Sequence, residues 1–508
     1  MNAPHRWTAR TRRAPSSPTV AALLALVLPL ALAAGACSPS ADLSNARMDS
    51  GPRPSSTLAP TAPTAPAAAA GVGASGVGDP YFPGAGNGGY DVSSYDVTMS
   101  VTIRSADRLD ARATIAATAT EDLESFNLDL LGFDVGPVTV DGTAATVARD
   151  GRELTVTPAA PLTAGVDFTV VVPYRGAPGK EQGPGSFLDD GGWIDLGSYS
   201  AVIAEPIGAA TWIPSNDHPS DKALFSITAT VPAPLEAVSN GKLLSRTDDG
   251  ATSTFRWAGE EPMATYLMTL AVGDYDLVDQ PTTAGAAVLN AYPPLNRGLG
   301  EGAFARFPDM VQFFSERFGP YPFTAAGNVI VPGLPPLALE CQTRSVFGLD
   351  ALSGDSSDDE VVSHELTHQW FGDAVSPASW RDIWLNEGFA TYGQWLWLEH
   401  TGGPTVGGSA DAAHDETDRA LDVPPADPGV DELFGASVYS RGGMFLVELQ
   451  QRMGDEKFFT LLRTWVDQHR YGTATTAQFL ALAAEINGAP IDDLAQPWLY
   501  ATELPPLD

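Results

Sequence analysis

His364-Glu365-Leu366-Thr367-His368 sets two imidazoles four residues apart with an acid between them. Residues four apart share a helix face, so both histidines can bind one Zn2+ at roughly 2.0 to 2.1 Å while Glu365 projects beside the metal. With 7 His in 508 residues, chance would produce this pattern in fewer than about one chain in a hundred. Two ligands leave a site unfinished. A third histidine six residues past His368 would complete one known arrangement, but Ala374 stands there and Phe371 replaces the glycine it requires. Glu387, separated from His368 by eighteen residues, is the next candidate. It completes a His2Glu set whose fourth position stays open to water, which marks catalytic rather than structural zinc. Glu365 then serves as general base on the water and passes the proton to a leaving amine.

Elements must place these groups. Ser357 with Glu360 three residues on forms a capping box, so the histidine helix is expected to start near Asp358. A turn through Gly372, Pro377 and Trp380 lets a second helix pack its start, with Glu387, against the first. Far upstream the period is two: Tyr95, Val97, Met99, Val101 and Ile103 alternate with polar residues, the pattern of a half-buried strand. Similar strands are expected over 126–130, 168–172, 226–231 and 265–272, with Asn240-Gly241 as a two-residue hairpin turn. This pattern predicts an antiparallel β-domain over residues 79–281. Past Pro281, Phe304, Phe307, Val311, Phe314 and Phe318 take helical spacing, and a Trp-rich, mainly helical half runs over 282–508. The expected class is a multidomain α+β protein without long-period repeats.

Composition narrows the partners. The chain is 44% hydrophobic and 18% charged, with 28 Lys plus Arg against 62 Asp plus Glu. A surface that acidic repels phosphate backbones and anionic lipid, so neither nucleic acid nor an electrostatically docked membrane is expected. Two cysteines, Cys37 and Cys341, provide neither a disulfide framework nor a thiolate zinc cluster. Residues 1–37 carry a basic stretch ending at Arg13, an apolar run from Val20 to Ala33 broken by Pro29, and small residues before Cys37. The run is short for a bilayer span and reads as a cleaved export signal. It resembles a bacterial lipoprotein signal, which implies an envelope protein lipid-anchored at Cys37, with plain secretion as the alternative. Residues 38–78, rich in Pro, Ala, Ser, Thr and Gly, are expected to be a disordered tether.

His364-Glu365-x-x-His368, Trp370-Phe371-Gly372-Asp373 and Asn386-Glu387-Gly388-Phe389-Ala390 together resemble the gluzincin aminopeptidases, the family of aminopeptidase N and leukotriene hydrolase. Gly78-Asp79-Pro80-Tyr81-Phe82-Pro83, Tyr90-Asp91-Val92, Trp212-Ile213-Pro214-x-Asn216-Asp217 and Asp221-Lys222-Ala223 resemble blocks of that family's β-domain. The resemblance covers most of residues 79–508 and implies a saddle-like β-domain on a thermolysin-like zinc peptidase domain. By that likeness Tyr439 donates its phenol to the developing oxyanion, Glu340 binds the substrate's free α-amino group, and Glu205 contributes a second anchor. An ammonium held between carboxylates beside the zinc confines cutting to the first peptide bond. The motif around Glu340 departs from the family pattern, with Leu337 for Gly, Leu339 for Met and Cys341 for Asn. The chain ends about 70 residues past Tyr439, short of the C-terminal helical domain of longer members, which implies a more open cleft.

The leading expectation is a metallopeptidase with one Zn2+ per chain that removes N-terminal residues from peptides with a free N-terminus. A zinc endopeptidase or another zinc hydrolase on the same scaffold is the nearest rival, and an envelope binding protein with a vestigial zinc site is the remote one. His218, His400, His414 and His469 read as loop, cap or solvated residues. Thr391 can reach a ligand from its helix, and Trp370, Trp380, Trp384, Trp395 and Trp397 read as core between the zinc helices.

Overall fold

The computed structural model describes residues 71–103, 107–180, 191–281, 284–416 and 421–507. The export signal, Cys37 and the tether up to residue 70 lie outside the described residues. Among the described residues, no helix is long and apolar enough to cross a membrane.

The N-terminal half is built on one large sheet. Its strand Tyr90–Thr102 buries alternate side chains, as the period of two requires. It pairs antiparallel with Arg108–Ala119, which pairs antiparallel with Asp167–Gly176. On its other edge it runs parallel to Lys222–Pro232, with Ser94 opposite Leu224 and Ser100 opposite Thr230. The domain is therefore not purely antiparallel. The chain makes a long excursion between these two strands, so no tight turn forces the returning strand to reverse.

A smaller sheet of Gly192–Asp195, Ser200–Ile203, Leu270–Gly273 and Glu236–Ser239 lies beyond. It corrects two expectations. Asn240-Gly241 is not a hairpin turn, because Glu236–Ser239 pairs with Leu270–Gly273 while Lys242–Asp248 pairs with Thr252–Ala258 in the large sheet. The dipeptide instead steps between sheets, with Gly241 at φ +76°. Residues 265–272 likewise open as a 3-10 turn, Thr265–Leu267, before the strand Leu270–Gly273 begins.

Strand structure continues past Pro281. A third, mixed sheet orders Asp276–Gln280, Ala287–Tyr292, Asn328–Val331, Ser345–Gly348 and Ala338–Leu339. Every residue of Asn328–Val331 and Ser345–Gly348 is buried, so no alternation marks these strands in the sequence. Helices follow: α1 (Phe307–Phe318), α2 (Asp359–Thr367), α3 (Trp384–His400) and α4 (Gly442–Met453). Of the anticipated tryptophans, Trp370 packs edge-on to Phe314 and Phe318, and Trp384 against Phe389, Phe445 and Phe479, whereas Trp380 faces Phe82 and Tyr266 of the N-terminal half instead of the space between the helices.

The two halves are joined by buried polar contacts. Asp79 Oδ2 accepts from Ser379 Oγ (2.8 Å), Trp380 N (2.9 Å) and His218 Nε2 (3.2 Å), just ahead of α3. Arg344 is fully buried and donates to the main-chain carbonyls of Ser239, Gly241, Ala326 and Leu289. Residues 71–78, expected as tether, already lie on the β-domain: Gly73 N donates to Ser125 O (2.9 Å) and Asn127 Nδ2 to Gly73 O (3.1 Å). Hydrogen bonds to the main chain of Gly73 make this attachment, and composition does not reveal them.

Candidate active site

Helix α2 delivers His364 and Glu365 within its last turn and His368 at its C-cap. Its start differs from the expected capping box. No side chain caps α2; Asp355 instead caps a 3-10 turn over Ser356–Asp358 that precedes it, accepting the main-chain N–H of Ser357. Asp355 also takes the Ser357 hydroxyl (2.7 Å), which removes Ser357 from the capping role.

Helix α3 crosses α2 closely because Gly393 faces Thr367, whose side-chain atoms stand 2.2 to 2.9 Å from where a Cβ would be. Helix α4 approaches α3 as closely, with Gly388 against the main chain of Gly442 at 2.9 to 3.0 Å from a would-be Cβ. The first contact brings Glu387, in the first turn of α3, onto the histidines. The second brings the π-helical turn Ser437–Arg441, with Tyr439, beside Glu387. Arg441 anchors that turn: it is fully buried and donates to the carbonyls of Leu421, Pro497, Trp498 and Ala501 at 2.7 to 2.8 Å.

Glu387 Oε2 lies 3.4 Å from Nε2 of both His364 and His368. A tetrahedral ion with bonds of about 2.0 to 2.1 Å has ligand-to-ligand edges of roughly 3.3 to 3.4 Å. The donor set therefore fits zinc in both chemistry and spacing. Each imidazole is oriented from behind: His364 Nδ1 meets Gln394 Oε1 (3.1 Å) and His368 Nδ1 meets Phe371 O (3.2 Å), which turns both Nε2 lone pairs inward. Gln394 is fixed in turn by donating to Glu360 Oε1 (2.8 Å). The support on His364 thus comes from Gln394, not from Thr391. Gln394 lies seven residues after Glu387, two turns along the same face, a signal the sequence did contain.

Five carboxylates converge here. Glu205, Glu340, Glu365, Glu387 and Asp373 are all buried. Ligand atoms of Glu205, Glu340 and Glu387 fall within 4.8 Å of one another, as do those of Glu340, Glu365 and His368. Among the described residues, every cluster of three or more side chains able to hold a metal lies at this one place. Glu340 follows the edge strand Ala338–Leu339, and Glu205 follows the strand Ser200–Ile203 of the β-domain. Glu205 Oε1 and Glu340 Oε1 have no hydrogen-bond partner.

Burial and then the neighbouring Glu340, Glu387 and Glu365 push Glu205 well above the usual carboxylate range. Burial also raises Glu340 and Glu365 against the pull of His368. Burial works to raise Glu387 too, but the His368 and His364 imidazoles overrule it and hold it at about 2. Tyr439 lies nearly parallel to the His364 ring, 16° between planes and 5.9 Å between centroids. Burial and the acids around it push its phenol well above 10, so it is a neutral O–H donor. The other histidines among the described residues are elsewhere: His218 on Asp79, His400 on Phe313, His414 at Pro505 O and His469 on Trp465. Cys341 is buried and unpaired, its thiol raised by burial.

Known proteins share these features. The Peptidase M1 N-terminal domain matches residues 92–267, and the Peptidase family M1 domain matches residues 303–498. Aminopeptidase M1-A of Oryza sativa is 30% identical over 316 residues, 58% of this chain and 36% of that protein. The chain thus spans about a third of the length of such plant relatives. The crystal structure of an M1 zinc metallopeptidase from Deinococcus radiodurans is 31% identical with a TM-score of 0.77, covering 85% of this chain and 98% of that one. A mutant of the same enzyme bound to a Tyr-Ser-Ala substrate superposes with a TM-score of 0.79 at 30% identity, over 85% and 99% of the two chains.

Proposed function

The chain belongs to the M1 family of peptidases, and we propose that it is a zinc-dependent aminopeptidase acting on peptides with a free N-terminus. His364, His368 and Glu387 would hold the metal. Bound zinc supplies a Lewis acid that acidifies water and polarises the scissile carbonyl. Glu365 accepts the proton of the attacking water at its carboxylate and delivers it to the departing amine nitrogen. Tyr439 donates its O–H to the oxyanion as the carbonyl becomes tetrahedral.

The observation that carries this reading is the pair of buried, unpartnered oxygens on Glu205 and Glu340 beside the zinc ligands. Nearby acids repel them, so a cation is the ligand that satisfies both. The α-ammonium of a peptide fits, and its distance from the metal selects the first peptide bond. The test is a rate comparison between an aminoacyl reporter with a free amine and its N-acetylated twin, each with and without chelator. Chelator-sensitive cleavage of the free amine, lost in Glu340→Gln and Glu205→Gln, is expected. Equal cleavage of both reporters would replace the aminopeptidase with an endopeptidase. The same proposal places the enzyme outside the cytoplasm on a lipid at Cys37, which Cys37→Ala should release from the membrane fraction.

A further inference from the structure

Gln369 directly follows the ligand His368 and is 2% exposed. Its amide grips both ends of a turn in the opposite wall of the site. Nε2 donates to the main-chain carbonyl of Glu340 (3.0 Å), and Oε1 accepts from the main-chain N–H of Thr343 (2.8 Å) and from the Tyr321 hydroxyl (3.3 Å). The turn needs such a grip, because Thr343 sits at φ +65°, a left-handed conformation that a β-branched residue keeps only when its surroundings hold it. The β-domain holds the same turn from behind: Asn240 Nδ2 donates to Gln342 O and Gly241 N to Thr343 Oγ1, both at 2.7 Å. The Glu340 carboxylate, with Oε1 unpartnered, takes its position from this backbone.

We propose that Gln369 is a positioning residue that sets the separation between the zinc ligand His368 and the ammonium anchor Glu340, and thereby the preference for a free α-amine. The proposal rests on the aminopeptidase reading above. One side chain, adjacent in sequence to a metal ligand, contacts both ends of the anchor turn, so displacement of the anchor relative to the metal is resisted by two hydrogen bonds at once. A shift of about 1 Å in such a constellation is enough to cost roughly a hundredfold in rate. A glutamine is suited to the place because it carries one donor and one acceptor on a single planar group.

The test is calorimetric binding of leucine hydroxamate and isocaproyl hydroxamate, which differ in the α-amine alone, to the zinc-loaded full chain and to Gln369→Met. The parent is expected to prefer the amino ligand. The variant should lose at least about tenfold of that preference while its zinc content and its affinity for isocaproyl hydroxamate stay within about twofold. Parallel weakening of both ligands, or an undiminished preference, overturns the role of Gln369. A parent with no preference overturns the anchor itself and the aminopeptidase reading with it, a result visible before any substitution is made. If Gln369→Met does not fold, Gln369→Asn, one methylene short of both backbone partners, is measured against the same criteria.

Discussion

Lys222 Nζ, on a strand of the large β-sheet, donates to the main-chain carbonyl of Asp373 at 2.6 Å and reaches that of Ala374 at 3.3 Å. The contact ties the β-domain to the segment that follows His368. Lys222→Met would leave both carbonyls without this donor, a loss of roughly 1 to 3 kcal/mol. The expected result is a lower denaturant midpoint at unchanged m-value. A variant as stable as the parent would show that the contact contributes nothing.

The two acids on the zinc helices should separate cleanly. Glu387→Gln removes a charged ligand and is expected to lower bound zinc well below one equivalent on metal analysis. Glu365→Gln touches no ligand, so zinc should stay while turnover falls by about 10^2 to 10^4. Full activity in Glu365→Gln would remove it from the proton transfer.

Gln394 orients His364 without touching the metal position. Gln394→Ala is expected to weaken zinc binding by about 10- to 100-fold in competition with a chelator. Thr391→Ala serves as the control on the same helix and should leave that affinity unchanged.

Tyr439 is assigned to the oxyanion, which exists only as the reaction proceeds. Tyr439→Phe should therefore lower kcat by about 10^2 to 10^3 with little change in KM. A rise in KM at constant kcat would make it a substrate-binding residue instead.

In the β-domain, burial and then Asp129 raise Glu153 to about 8, against the pull of Arg152. The folded state thus holds this proton more tightly than the unfolded chain does. The stabilisation is complete below the unfolded value of about 4.3 and is lost as pH climbs through the folded one. Asp217 and Asp221, both raised to about 7 chiefly by burial, share this sign. Glu153→Gln is neutral at every pH, so its unfolding midpoint should match the parent near about pH 4 and exceed it near about pH 9. Identical curves at both ends would refute the shift.

Much of the site was legible because local spacing controls it. His364, Glu365 and His368 share one helix turn, so their type and interval determine what they can bind whatever surrounds them. The period of two in Tyr90–Thr102 was equally local. Less was legible where neighbours in space decide. The strands Asn328–Val331 and Ser345–Gly348 are buried on both faces and show no alternation. Asn240-Gly241 carries a hairpin signal, yet the sheets on either side pull its flanking strands apart.

The sequence by itself determined the chemistry available: two imidazoles and an acid at helical spacing, and a second acid separated from His368 by eighteen residues. The family likeness was carried by those same short motifs. Tertiary structure decided how the groups meet. Glu205, Glu340 and Glu387 are far apart in the chain yet share one space: the gaps at Gly388 and Gly393 let three helices close around Glu387, and Gln369 spans from the zinc helix to the Glu340 turn. Carboxylate pKa values, the 3.4 Å ligand edges and the backbone contacts of Arg441 and Lys222 follow from burial and approach in three dimensions, which residue order does not encode locally.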